Sequence, residues 1–112
     1  MHVIKTVLAG ALALSVFSPM AMAQYPDKPI RMVVGYSPGG AADKLIRPIG
    51  DQLSKMLKQP VIIEYKPGAG ASVAADYTSK AAPDGYTLHI TDSGPMTILP
   101  NMKKMGYDPL KN

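Results

Sequence analysis

The sequence predicts an α/β fold, a β-α-β-α-β unit that makes half of a doubly wound parallel sheet. Three observations predict it. Short β-branched runs alternate with segments of helical periodicity. Pro and Gly punctuate the boundaries between them. The connections are short, so right-handed crossovers place three parallel strands side by side.

The first strand is Ile30-Arg31-Met32-Val33-Val34-Gly35-Tyr36, bracketed by Pro29 and Pro38. Ser37-Pro38-Gly39-Gly40 follows as a tight turn. From Ala42 to about Lys58, Leu45, Ile46, Ile49, Leu53, Met56 and Leu57 recur at the spacing of one helix face. Pro48 removes one backbone bond there and predicts a kink or a shortened first segment. Asp43 falls in the first turn, where a carboxylate complements the helix dipole. Gln59-Pro60 ends the helix, and Val61-Ile62-Ile63-Glu64-Tyr65 is the second strand. After the glycine turn Lys66 to Ala71, Ser72 to Ala82 reads as a helix, with Val73, Tyr77 and Ala81 on one side. Pro83-Asp84-Gly85 is a turn, and Tyr86 to Thr91 is the third strand. Beyond Thr91 the pattern degrades into Asp92-Ser93-Gly94-Pro95 and an apolar stretch to Leu99.

Met1 to Ala23 reads as an address rather than structure. His2 and Lys5 form a short positive region, and Val7 to Phe17 is an apolar run of 11 residues. Ala21-Met22-Ala23 has small residues where signal peptidase reads, so cleavage before Gln24 is expected. The run is too short for a spanning helix, which needs about 20 apolar residues. Cleavage leaves 89 residues with 11 Lys and Arg against 8 Asp and Glu. An export signal without a lipid-accepting Cys points to a bacterial periplasm.

The chain has no Cys and only 2 His, which excludes disulfide scaffolds, cysteine nucleophiles and thiolate zinc sites and leaves no basis for a His-based metal centre. No cofactor is expected. Its 12 Lys and Arg do not cluster beyond Lys103-Lys104, read as a solvated turn, so no nucleic-acid partner is indicated.

In an open α/β sheet, ligands bind outside the carboxyl ends of the strands. Three loops leave those ends: Tyr36 to Ala41, Lys66 to Ser72, and Thr91 to Gly94. The first two are glycine-rich and run into helix N-termini, whose free amide hydrogens favour an anion. Each charge-assisted hydrogen bond is worth about 1.5–3 kcal/mol, so a few of them approach the roughly −8 kcal/mol of a micromolar ligand. Ordinary turns with glycine serving only the chain geometry are the bland alternative. A rival reading takes Gly68, Gly70 and Asp92 as a dinucleotide fingerprint, although Val73 stands where its third small residue belongs. Catalysis has little to build on. Ser37, Ser72 and Ser93 have only His89 as a base, and His89 sits mid-strand. Tyr36 is a possible ligand contact, whereas Tyr65, Tyr77 and Tyr86 read as packing.

The order of motifs carries a resemblance. Tyr25-Pro26-Asp27-Lys28-Pro29-Ile30-Arg31 precedes Ser37-Pro38-Gly39-Gly40 and Asp43. Then come Gln59-Pro60-Val61, Lys66-Pro67-Gly68-Ala69-Gly70, Ala81-Ala82-Pro83-Asp84-Gly85-Tyr86-Thr87-Leu88 and Tyr107-Asp108-Pro109. This resembles the substrate-binding proteins of tripartite tricarboxylate transporters, the Bug family of periplasmic receptors. The resemblance implies a non-enzyme with a type II-like periplasmic binding protein fold. Two lobes close on a small carboxylate (a dicarboxylate, a citrate-like acid or an acidic amino acid) and deliver it to a membrane permease. Backbone amides and ordered water from the glycine loops hold the carboxylate. The matching positions are Tyr36, Ser37, Pro38, Gly39, Gly40 and Asp43 in the first loop, Gly70, Ala71 and Ser72 in the second, and Thr91, Asp92 and Ser93 in the third.

Two departures from the family pattern stand out. The second loop reads Gly70-Ala71-Ser72 where the family usually has Gly-Gly-Asn, which adds a methyl and loses an amide. Family chains are also far longer. The expected organisation is a signal over 1–23, an N-terminal α/β lobe over 24–98, and over 99–112 the start of a crossover toward a missing second lobe. Two other readings stay open: a secreted α/β nucleotide-binding half-domain or enzyme fragment, and a truncated remnant whose sheet keeps an open, aggregation-prone edge.

Overall fold

The computed structural model describes residues 24–111. The signal and its cleavage after Ala23 lie outside the described residues. Three parallel strands, β1 (Ile30–Val34), β2 (Val61–Tyr65) and β3 (Thr87–Ile90), form a sheet in the order β2-β1-β3. Helix α1 (Ala41–Leu57) links β1 to β2, and α2 (Ser72–Ser79) links β2 to β3. A π-helical turn, Gly94–Ile98, leads into the short α3 (Leu99–Met102).

β1 is central because its sequence permits burial on both faces. Ile30, Met32, Val33 and Val34 are all at most 1% exposed, each such side chain worth about 1.5–3 kcal/mol of burial. Met32 and Val34 stand beside Ile63 and Tyr65 on one side and Leu88 and Ile90 on the other. α1 closes this face by inserting Ile46 against Met32 and Val34, with Ala42 and Leu53 packed around them. On the opposite face Val33 is in register with Glu64 and His89, and α2 covers β1 and β3.

The helices bury only part of what their periodicity predicts: Ile46 and Leu53 of α1 face the core as expected, and the rest differs. In α1 the buried positions are Asp43, Ile46 and Gly50. Leu45, Ile49 and Met56 are 69%, 48% and 69% exposed. The core-facing stripe passes through Gly50, where an added Cβ would already touch the Ile63 side chain at 3.5 Å, so the helix lies close on β2. Pro48 neither shortens nor interrupts α1. It sits on the exposed side, where water can satisfy the carbonyl it leaves without a partner. In α2 the buried residues are Ser72, Ala74 and Ala75, not Val73, Tyr77 and Ala81. Small residues face the sheet and let the helix approach it, while Val73 is 45% exposed. α2 also stops at Ser79 rather than Ala82, and β1 ends at Val34 rather than Tyr36.

Both ends of the lobe are tied down. The Tyr25 hydroxyl donates to the Gly85 carbonyl at 2.6 Å. The Tyr86 hydroxyl donates to Asp27 at 2.5 Å, and the two tyrosine rings meet edge to face at 5.0 Å. At the other end the Tyr107 hydroxyl donates to the Pro95 carbonyl at 2.7 Å, which folds the tail back onto the π-helical turn.

Candidate functional site

The carboxyl ends of the three strands converge because glycine removes the side chains that would hold their loops apart. Gly35 follows β1, and a Cβ there would stand 2.4 Å from the Ala71 Cβ. Nothing larger than hydrogen fits. Gly94 lies against the third loop's own Asp92 and faces the Gly70 carbonyl, with an added Cβ 3.9 Å from that oxygen. The first loop therefore touches the second, and the second touches the third.

Two carboxylates fix the loops. Asp43, 4% exposed in the first turn of α1, accepts the Gly39 N–H at 2.8 Å, the Arg47 Nε–H at 2.8 Å and the Tyr65 hydroxyl. The Tyr65 hydroxyl, the Arg47 guanidinium and the Gly39 amide together hold its pKa down to about 2. Asp92 accepts the Tyr36 hydroxyl on one oxygen and the Gly94 N–H at 2.9 Å on the other. The Tyr36 bond, then the Gly94 amide, lower its pKa, and the same bond raises that of Tyr36.

The sequence-derived site residues divide by exposure. Ser37, Pro38, Gly39, Gly40, Gly70, Asp92 and Ser93 are exposed, and Tyr36 and Thr91 are half-buried. Asp43, Ala71 and Ser72 are buried. The Ala71 methyl is turned against Gly35 instead of outward, and Ser72 Oγ donates to the Ala69 carbonyl at 2.8 Å. α1 and α2 begin at Gly40 and Ala71 without any side-chain cap; the Ser72 N–H is taken by the Ala69 carbonyl at 3.3 Å, which leaves the later amides of the first turns for the surface the loops share.

Sequence reasoning missed Gly35, Gly94, Arg47 and the polar role of Tyr65. The i, i+4 spacing of Asp43 and Arg47 was a readable signal. Tyr65, Tyr77 and Tyr86, read as packing, each carry a hydrogen bond through the hydroxyl, Tyr77 accepting from Arg31 at 3.0 Å. The dinucleotide alternative meets the strand order. β1 separates β2, which feeds Gly68 and Gly70, from β3, which feeds Asp92, whereas the fingerprint needs glycines and acid on adjacent strands. His89 is half-buried, and its Nε2 has no hydrogen-bond partner among the described residues. Burial lowers its pKa. Among the described residues no group of three or more His, Asp or Glu gathers as a metal site, and no helix is long and apolar enough to cross a membrane.

Comparison with known proteins agrees with this architecture. The tripartite tricarboxylate transporter family receptor pattern, TctC, matches residues 45–112. The chain is 43% identical over 104 residues to the UPF0065 protein in the gbd 5' region of Cupriavidus necator, covering 92% of this chain and 32% of that protein. Its fold matches a Rhodopseudomonas palustris protein solved with adipate at a TM-score of 0.71, with 34% identity over 77% of this chain and 29% of the other. MatC from Rhodopseudomonas palustris, solved with bound malate, gives 0.69 with 35% identity over 76% and 29%. The chain thus spans about a third of the length of the relatives it matches. With more than half of its residues under the family pattern and the α/β lobe of periplasmic binding proteins in its structure, the chain belongs to the tripartite tricarboxylate transporter receptor family, whose members are solute-binding receptors and not enzymes.

Proposed function

We propose that this chain supplies the N-terminal lobe of a periplasmic receptor that binds a small dicarboxylate and hands it to a membrane permease. The observation that carries the reading is the convergence of three loops on two uncapped helix starts. Such an arrangement attracts an anion through backbone amides and needs no arginine. Relatives solved with adipate and with malate support the ligand class.

On this reading the exposed residues Ser37, Pro38, Gly39, Gly40, Gly70 and Ser93 line the ligand, together with Tyr36 and Thr91. Asp43, Ala71, Ser72 and Asp92 hold the loops at the spacing the carboxylate requires. Residues 24–98 form the lobe and 99–112 begin the passage toward a second one. Met1 to Ala23 directs export and is removed after Ala23. Amino-terminal sequencing of the chain recovered from a periplasmic fraction tests that last point, and a start other than Gln24 contradicts it.

The ligand is tested by grafting residues 24–111 in place of the matching lobe of the malate-binding relative and titrating the hybrid in a calorimeter. Heat with malate or adipate, and none with a neutral diol of the same length, is expected. Binding of the diol alone overturns the ligand class.

A further inference from the structure

We propose that the outer flank of α2 is a docking surface for an acidic, amphipathic segment of a partner protein. Val73, Tyr77 and Ala81 recur at helical spacing, yet they do not enter the core. They line a groove of about 500 Å³ together with Arg31, Lys66 and Lys80. A second groove of about 290 Å³ shares Val73 and Asp76 with the first and continues past Lys103, Lys104 and Tyr107. The two adjoin at Val73 and Asp76 and make one channel along the helix, lined by apolar side chains and cations together.

Charge decides the kind of partner. Five cations border the channel: Arg31, Lys66, Lys80, Lys103 and Lys104. Two carboxylates lie among them. Glu64 pairs with Lys66 at 3.0 Å and with Arg31 at 3.7 Å, and Asp76 pairs with Lys80 at 2.6 Å. Across the rest of the described chain six Lys and Arg balance six Asp and Glu, so the whole net charge of +3 sits on this one face. A partner helix with a Leu stripe and Glu on both flanks matches it in shape and sign. The surface starts at Val73 in the first turn of α2 and runs away from the loops along Tyr77 and Ala81, and the peptide is titrated without any carboxylate ligand, so failure of the carboxylate reading leaves this test standing.

The test uses the full chain and a fluorescein-labelled helical peptide with Leu on one stripe and Glu on both flanks, read by anisotropy. A second peptide carries Gln for every Glu. Binding of the Glu peptide, weakened by salt, is expected, with none of the Gln peptide. Lys103→Glu with Lys104→Glu, and separately Val73→Asp, should each weaken it about tenfold, with circular dichroism confirming that the fold is kept. Lys55→Glu with Lys58→Glu changes net charge equally on α1 and should leave affinity within about twofold. Absence of binding to the Glu peptide overturns the proposal. So does equal weakening by the α1 pair, or comparable binding to vesicles of anionic lipid or to a labelled oligonucleotide.

Discussion

The Tyr65 hydroxyl, at the carboxyl end of β2, donates to the buried carboxylate of Asp43 in the first turn of α1. The bond joins a strand end to the loop that leaves the neighbouring strand, because Asp43 also accepts from Gly39.

Asp43 is accordingly expected to contribute stability with a defined acid limit. Its pKa lies at about 2 in the fold against 3.8 as the ordinary value. The contribution is complete above the unfolded value and disappears as pH falls through the folded one. Asp43→Asn keeps one acceptor but loses the charge, and should lower the melting temperature at neutral pH by about 5–10 °C. The gap between the two proteins should begin to narrow near pH 4 and close as pH approaches about 2. A gap that persists unchanged to the lowest pH would assign the effect to shape instead of charge.

Gly35 and Ala71 form a second junction, testable as a pair. Gly35→Ala places a methyl 2.4 Å from the Ala71 Cβ and should cost about 2–3 kcal/mol in urea unfolding. Ala71→Gly removes the opposing atom and relieves the backbone at φ 65°, so the double variant should recover about half of that loss. Simple additivity of the two changes would refute the contact.

His89 should produce a separate pH response. Burial depresses its pKa below 6.5, so the unfolded chain takes up a proton before the folded one does. Stability is then highest at alkaline pH, falls as pH drops below 6.5, and levels off beneath the folded pKa. His89→Leu should abolish this slope and raise the melting temperature by a few degrees at mildly acidic pH. Thermal melts between about pH 8 and pH 5 separate it from the Asp43 response, which begins lower.

Tyr36→Phe removes the hydroxyl that Asp92 accepts and frees the third loop from the first. In the grafted receptor, dicarboxylate affinity should fall about five- to tenfold with little change in melting temperature. A lowered melting temperature with unchanged affinity would make the bond part of the scaffold alone.

How much of this was legible follows from the range of each interaction. The strands and α1 could be read because β-branched runs and helical spacing are local, and β2 lies where Val61 to Tyr65 predicts it. The buried side of each helix could not be read. Apolar residues cover more of α1 than a three-stranded sheet can meet, so Ile46 is buried while Leu45 and Ile49 are not. Three Tyr–Asp bonds organise the loops and the amino end, and they join residues 22, 56 and 59 positions apart. No periodicity announces such pairs. The π-helical turn around Pro95 interrupts the spacing that would have revealed it.

The central place of β1 also sets the order in which the lobe can be completed. β1 is synthesised first, but its two partners arrive only with Val61–Tyr65 and Thr87–Ile90. Until the last of these is made, the most apolar strand of the chain lacks one flank, and the pairing that supplies it spans 56 residues. High-separation pairing is slow. The sheet of this lobe therefore cannot close until β3 has been made, and a chain whose sheet is still open is in the state in which a polypeptide can be threaded through a narrow translocation channel.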